Sequence, residues 1–354
     1  MMIFFVLILI VLILAVQRRV VQNSLNDIKE NYWPEEKVVN PEERTDIILS
    51  ISNFGKKDLS FVKTEIYFPR QIQVETQELK VTRDIELGGR KIAHTASIRR
   101  RSELRFRIPV SFPDRGRYVL PHPILFGGDF LGITETRREF SQYREVVVAP
   151  PECRISELTR ILGSFLGDYS VRRFLFEDPI LTIGYHEYTG CEPMRQIDWK
   201  QSAKSGCWMV KEYDHTVEPA VAVLLNMDSP EGEEEKELSF SIARSVCSVL
   251  EKSRIKYEFC TNAEQAGKIQ TAGSVGDGLG QYHFLRVLEC LGRGMSTVRM
   301  SCDCLLKQIF AENENERGLI VITPGNELEE SQVFLHYRAV LGQNILVLCA
   351  KQFL

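Results

Sequence analysis

The spacing of hydrophobic and polar positions changes along the chain, and each change predicts a different kind of structure. The first 16 residues, MMIFFVLILIVLILAV, are apolar without a break and are followed by the basic sequence QRRV. From about Asp46, short runs such as DIILSISNFG and LRFRIPVSF alternate apolar with polar residues and are separated by Gly, Pro and Asn. This alternation predicts β-strands with one buried face, arranged as a β-sandwich.

From Glu218 onward the apolar runs become longer and alternate with segments of helical spacing. EPAVAVLLNM, GLIVITP and NILVLCAK are nearly continuous apolar strands, whereas EKELSFSIARSVCSVLEKS and YHFLRVLECLG have helical spacing. Such an alternation predicts a parallel sheet with helices on both faces. The segment GSVGDGLG lacks the Gly-Lys-Ser/Thr of a phosphate-binding loop and is predicted to be a flexible loop.

The apolar N-terminal run is shorter than the roughly 20 residues of a membrane-spanning helix unless Val20 and Val21 are included. A cleaved signal peptide would carry positive charge before this run and a small-residue cleavage site after it, and neither is present. We therefore expect a retained single-pass anchor, with Arg18 and Arg19 and the rest of the chain on the cytoplasmic side of a cell membrane. An extracytoplasmic arrangement is the alternative.

Composition and charge exclude some classes of function. The chain has 354 residues, 26% charged residues and a formal net charge of −4, so no basic excess points to nucleic acid. The cysteines number nine, an odd count, and all of them follow Pro151, which is typical of free thiols in a reducing compartment. Cys302 and Cys304 form a C-x-C without a second pair at metal-ligand spacing, so no zinc site is expected.

The segment YHEYTGCEPMRQIDWKQSAK concentrates potential chemistry between Tyr185 and Lys204. Pro193 suits the first turn of a helix and Gly206 suits its end. On a helical wheel, Arg195, Asp198 and Ser202 share one face, with apolar residues on both flanks: Met194 and Ile197 on one side, Trp199 and Ala203 on the other. This pattern predicts a helix wedged between two layers, with Arg195 and Asp198 as a buried ion pair.

Catalytic interpretations of the same segment are weaker. His186-Glu187 lacks the second histidine of a zinc-protease helix, because position 190 is glycine. His186 with Cys191 is a possible base and nucleophile, and Glu187, Glu192 and Asp198 offer carboxylates for acid/base work. A hydrolase that uses His186, Glu187, Cys191 and Glu192 is the alternative function.

Several motifs carry a family resemblance. The segment contains Glu187-Tyr188, Arg195, Ile197-Asp198-Trp199 and Ser202-Ala203-Lys204, and VKEY follows at Val210. Upstream lie RGRYVL, GDFLG and VVVAPP. Together these resemble the signature of the domain of unknown function 58 family over about Asp46 to Leu354. The chain departs from the family pattern at His186, where an arginine is usual, and at Gly190-Cys191, where Pro-Gly is usual.

The resemblance implies a membrane-anchored, non-enzymatic adaptor that needs no cofactor and binds a partner protein, a MoxR-type AAA+ ATPase, in assembly or cell-envelope processes. It implies α+β multidomain architecture: a transmembrane anchor (1–21), a connector (22–45), a β-sandwich (46–150), the signature connector (151–216) and a Rossmann-like von Willebrand factor A-like domain (217–354). The partner or structural motif would comprise Glu187, Tyr188, Arg195, Ile197, Asp198, Trp199, Ser202 and Lys204.

A von Willebrand A-like domain binds Mg²⁺ through D-x-S-x-S after its first strand. Here that strand leads into NMDSPEG. Starting the motif at Asn226 places Asp228 and Pro230 at the serine positions, and starting it at Asp228 places Pro230 and Gly232 there. Both registers lack the serine ligands, so the sequence predicts no metal.

Overall fold

The computed structural model describes residues 25–75, 80–83, 89–128, 135–140, 142–153, 155–174, 182–190, 192, 194, 197–213, 220–267, 273–312 and 317–354. The chain divides into two compact units. Unit 1 comprises the described residues up to Pro151 together with Leu291–Arg293, and unit 2 comprises Glu152–Cys290 and Gly294–Leu354. The predicted anchor and most of the predicted connector before Leu25 lie outside the described residues.

Unit 1 consists of short strands. They are β1 (Ile28–Pro34), β2 (Val38–Val39), β3 (Thr45–Asn53), β4 (Leu59–Phe68), β5 (Gln73–Val74), β6 (Lys80–Arg83), β7 (Arg90–Ile98), β8 (Ser102–Ser111), β9 (Gly116–Val119), β10 (Ile124–Gly128), β11 (Glu135–Glu139) and β12 (Glu145–Val148). They form sheets of order β1-β3-β8-β5, β11-β10-β4-β7-β6 and β2-β12-β9.

Alternation along the strands explains how these sheets share a core. In β3, Ile47, Leu49 and Ile51 are fully buried, and in the neighbouring β8 the inward positions include Ile108 and Val110. Arg105 and Arg107 of β8 lie on the opposite face and are exposed, because successive side chains of a strand point to opposite faces. The predicted β-sandwich is confirmed.

One inward position of β1 carries a carboxyl group. Glu30 is only 3% exposed, and its Oε2 has no hydrogen-bond partner. Burial raises the pKa of Glu30 to about 8, against an opposing attraction from the Arg138 guanidinium. Tyr32 lies two residues further along the same face, and its buried hydroxyl is likewise without a partner. The pKa of Tyr32 is raised by burial and then by the neighbouring Glu30. The core of unit 1 therefore holds a carboxyl group that is neutral at neutral pH.

Unit 2 contains helices and strands in alternation. They are α1 (Ser156–Phe174), β13 (Thr182–Glu187), α2 (Trp199–Ser205), β14 (Met209–Tyr213), β15 (Ala220–Leu225), α3 (Glu233–Lys252), β16 (Lys256–Thr261), β17 (Ala263–Gln265), β18 (Gly273–Gly278), α4 (Gln281–Arg293), β19 (Gly294–Val298), α5 (Cys302–Glu312), β20 (Gly318–Thr323), α6 (Gln332–Leu341) and β21 (Ile345–Cys349). Short 3-10 turns cover Glu327–Glu330, Gly342–Asn344 and Ala350–Gln352.

The main sheet of unit 2 has the order β18-β16-β15-β20-β21. Strands β16, β15, β20 and β21 are parallel, and their central members β15 and β20 are buried almost throughout, which explains their continuous apolar sequences. Strand β18 is antiparallel to β16. Strands β17 and β19 form a separate two-stranded ribbon, and β13 pairs with β14 in another.

The predicted fold class is wrong for the α/β domain. We predicted a uniformly parallel, Rossmann-like von Willebrand A-like domain, but the structure has a mixed sheet. The segment GSVGDG, predicted to be a flexible loop, forms the antiparallel edge strand β18. Helix α4 leads into β19, which belongs to a ribbon outside the main sheet. The predicted transmembrane helix lies outside the described residues. Within the described ranges, no helix combines the length and hydropathy that crossing a membrane requires.

We expect Glu30→Gln to remove a pH dependence from the stability of unit 1. The folded-state pKa of about 8 lies above the ordinary value of 4.5, so the native protein binds more protons than the unfolded chain between these values. The contribution of Glu30 to stability is therefore fully present below about pH 4.5 and is lost as pH rises towards about pH 8, by at most about 1.4 kcal/mol per pH unit.

Urea unfolding at about pH 5 and about pH 8 measures this difference. Glu36→Gln is the matched control, because Glu36 is exposed in the same unit. An equal pH dependence in the parent and in Glu30→Gln would contradict the expectation.

Candidate functional site

The predicted signature residues lie in a small module of unit 2, which we name the signature module: β13, the turn that follows it, α2 and β14. Strands β13 and β14 are antiparallel, with His186 opposite Val210 and Glu187 opposite Met209. The pairing continues past the strand ends, where the N–H of Tyr188 donates to the carbonyl of Trp208 over 2.8 Å. The module is thus a hairpin-like ribbon with a helix inserted between its strands.

Asp198 begins the helix. It has extended φ and ψ of −89° and 101°, and its Oδ1 accepts from the N–H of Gln201 at 3.0 Å, the geometry of an N-cap. Gly206 ends the helix with φ of 75° and donates its N–H to Ser202. The α-helix therefore begins after Asp198, whereas the predicted start, Pro193, lies outside the described residues.

Ser202 joins the helix to β14. Its hydroxyl donates to the carbonyl of Asp198 at 2.7 Å and accepts from the N–H of Met209 at 2.8 Å. The N–H of Asp198 donates to the carbonyl of Met209 at 2.9 Å. Ile197 bridges to Val210, and both side chains are buried. Ile197, Asp198 and Ser202 therefore hold the module together.

The predicted partner of Asp198, Arg195, lies outside the described residues. The cation that the structure places beside Asp198 is Lys211, whose Nζ is 3.7 Å from Oδ2. The pKa of Asp198 is lowered, chiefly by the N–H of Gln201 and further by the charge of Lys211. Lys211 is thirteen positions further along the chain, on β14, so only the strand pairing could reveal this contact.

The prediction that Trp199 is wedged into a buried joint is wrong. Trp199 is 61% exposed, and Met194 and Trp208 are 60% and 52% exposed. A helix of seven residues has room to bury one face only, and here that face is occupied by Ser202. Lys204 is exposed in the last turn, and Tyr188 packs against Trp208 with ring centroids 5.5 Å apart.

The residues of the hydrolase alternative form a different arrangement. Glu192 accepts from the hydroxyl of Thr189 at 2.7 Å and from its N–H at 3.1 Å, and lies 3.4 Å from Nε2 of His186. These contacts, led by the Thr189 hydroxyl, lower the pKa of Glu192 to about 2. Glu187 is exposed and is 3.7 Å from the Sγ of Cys207, whereas Cys191 lies outside the described residues.

A second group of polar residues lies where β15 and β20 end. The side-chain oxygen of Asn226 accepts from Asn262 at 2.7 Å and from the N–H of Asp228 at 3.0 Å, and Asp228 accepts from the N–H of Cys302 at 3.4 Å. An open cleft of ≈ 530 Å³ adjoins them. No three His, Cys, Asp or Glu residues in the described part of the chain are grouped to hold a metal ion. The absence of a metal stays a prediction.

We expect Ser202→Ala to destabilise unit 2 by about 1–3 kcal/mol, because it leaves the N–H of Met209 without its acceptor. Ser205→Ala is the matched control: Ser205 is exposed in the same helix, and its hydroxyl bonds only to carbonyl groups. Thermal and urea unfolding of both variants would measure the difference. Equal stabilities would remove the role assigned to Ser202.

No protein-family model and no curated protein matches this chain. Among solved structures, the CARDB domain of a Pyrococcus furiosus protein is 14% identical, covers 34% of this chain and 92% of its own, and has a TM-score of 0.23. A cohesin module from a Clostridium perfringens family 33 glycoside hydrolase is 16% identical, covers 34% of this chain and 96% of its own, and has a TM-score of 0.24. A Nocardia farcinica protein with an immunoglobulin-like fold is 9% identical, covers 33% of this chain and 96% of its own, and has a TM-score of 0.24. At these values the similarity carries no argument about function.

Proposed function

We propose that this chain is a non-catalytic adaptor that docks a partner protein through the signature module. One observation carries the proposal: the backbone of the module is fixed by hydrogen bonds, yet Met194, Trp199 and Trp208 project more than half of their surface into solvent. Tryptophan is enriched among the residues that dominate binding energy at protein interfaces.

The energetics of burial support a binding role. A tryptophan side chain buries about 150–250 Å² when covered, and apolar burial contributes roughly 25 cal/mol per Å². Covering the exposed part of Trp199 or Trp208 would therefore favour association by about 2–3 kcal/mol each, before the entropic cost of binding. A fixed backbone reduces that cost, because the side chains are already positioned.

The charge around Trp199 indicates the chemistry of the partner. Lys200 and Lys204 are exposed on the same short helix, one turn apart. A partner surface with an apolar centre for the indole ring and an acidic rim for the two ammonium groups would match this helix. The family resemblance names a MoxR-type AAA+ ATPase as the first partner to test.

The hydrolase alternative receives less support from the same residues. Both carboxylate oxygens of Glu192 accept hydrogen bonds from Thr189, and its low pKa keeps it ionised, which suits an acceptor and not a proton donor at neutral pH. Glu187 is exposed on the ribbon. These contacts stabilise the turn between β13 and α2.

Trp199→Ala and Trp208→Ala test the proposal in affinity capture from lysate with the full chain as bait. Because Trp199 is exposed, we expect Trp199→Ala to keep the unfolding temperature of the parent, whereas Trp208→Ala lowers it slightly through the lost contact with Tyr188; each variant should lose at least ten-fold of the captured partner. Tyr282→Ala is the control, since Tyr282 is an exposed aromatic residue on α4 of the same unit.

Capture of the same partner by the parent and both tryptophan variants would overturn the proposed docking site. A large drop in the unfolding temperature of Trp199→Ala would show instead that Trp199 supports the fold.

A further inference from the structure

The outer strand β21 ends the main sheet of unit 2 at one side. It pairs in parallel with β20, and no described strand pairs with its other side. The N–H of Asn226, just after β15, donates to the carbonyl of Ile322, so the backbone groups of Ile322 face β15. Those of Val321 consequently face β21, where Val321 is opposite Val347. In a parallel pair, the backbone groups of Leu346 and Leu348 then form the hydrogen bonds with Val321 of β20. The N–H and C=O of Val347, which lies between them, point away from β20 to the open edge.

The sequence of β21 lacks the devices that usually protect an edge. Exposed edges are commonly blocked by charged residues, proline, bulges or shortness. In the described sheets of three or more strands, every other outer strand of four residues or more contains a charged residue: β1, β6, β9, β11 and β18. Strand β21 reads ILVLC, without charge or proline, and its first three residues are partly exposed.

The surroundings of this edge are also incompletely covered. A cleft of ≈ 250 Å³ runs beside it, lined by Ile345, Leu346, Val347 and Cys349 of the strand and by Phe334 and Arg338 of α6, among others. Helix α6 leaves Leu335 and Val340 exposed by 46% and 49%. The side of the cleft formed by α6 thus carries an apolar residue, Phe334, and a charged one, Arg338.

We propose that β21 pairs antiparallel with β21 of a second copy of this chain, so that the main sheets of the two copies join into one. The strand is complementary to itself about a two-fold axis through Val347. Ile345 is then opposite Cys349, Leu346 is opposite Leu348, and every pair is apolar with no like charges apposed. An isologous contact of this kind needs no sequence beyond the strand itself. The proposal does not rest on the proposed function.

Val347→Pro tests the strand pairing. Proline removes the outward N–H of Val347 and leaves the bonds between β20 and β21 in place. Sedimentation velocity of the full chain over a range of concentrations, in a non-ionic detergent because its first 16 residues are apolar, measures the oligomeric state. We expect a dimer for the parent and at least a ten-fold weaker dimer for Val347→Pro.

A surface substitution keeps the test decisive if proline perturbs the fold. Leu335→Glu places like charges on the exposed faces of the two α6 helices and should also weaken the dimer. Leu285→Glu is its control, because Leu285 is a similarly exposed leucine on α4. Circular dichroism of each variant establishes that it is folded.

Two outcomes would overturn the proposal. One is a parent chain that stays monomeric at every concentration. This includes the case in which the parent binds a different protein and Val347→Pro does not, because β21 would then pair with a strand of that protein. The other is a dimer that folded Val347→Pro and Leu335→Glu leave unchanged, since the contact would then lie elsewhere.

Discussion

The hydroxyl group of Ser202 determines which residues of the signature module face inward and which face outward. By donating to the carbonyl of Asp198 and accepting from the N–H of Met209, it ties the first turn of α2 to the start of β14. Ile197 is buried as part of the same connection, whereas Trp199 is exposed. A module of this size cannot form an apolar core around a helix of seven residues, so hydrogen bonds from one buried serine take over the role that packing has elsewhere in the chain.

Buried polar groups in this chain are accommodated in two different ways. At the end of the central strands of unit 2, Asn226 and Asn262 bond to each other and to neighbouring backbone groups. Such a network fixes the loops that follow parallel strands, since each amide satisfies more than one partner. In unit 1, Glu30 and Tyr32 are instead buried with atoms that lack a partner, and Glu30 adapts by remaining protonated.

The sequence predicts the β-sandwich because one buried face produces an alternation of apolar and polar residues, as in the first part of β8. The buried strands β15 and β20 and helix α3 were also predicted, since continuous apolar runs and helical spacing are strong local signals. The mixed direction of the strands in the main sheet is not predicted, because the direction of a strand depends on which strand it pairs with. The glycines of β18 predict a loop, although the contacts of this strand with β16 decide its conformation.

The error at Trp199 has a more specific cause. A helical wheel assigns faces correctly only if the start of the helix is correct, and the predicted start at Pro193 counts five residues before Asp198 as helical. The capping geometry of Asp198 is local and could have been recognised, because Asp before a helical segment is a strong N-cap. Its contact with Lys211 depends on the pairing of β13 with β14 and could not.

The protonated carboxyl of Glu30 also affects how the intact molecule behaves in an electric field. The formal net charge of −4 counts every glutamate as ionised. A native chain that keeps Glu30 neutral carries one negative charge fewer near neutral pH, whereas the unfolded chain regains it. Taken by itself, the neutral Glu30 therefore shifts the isoelectric point of the folded form above that of the denatured form.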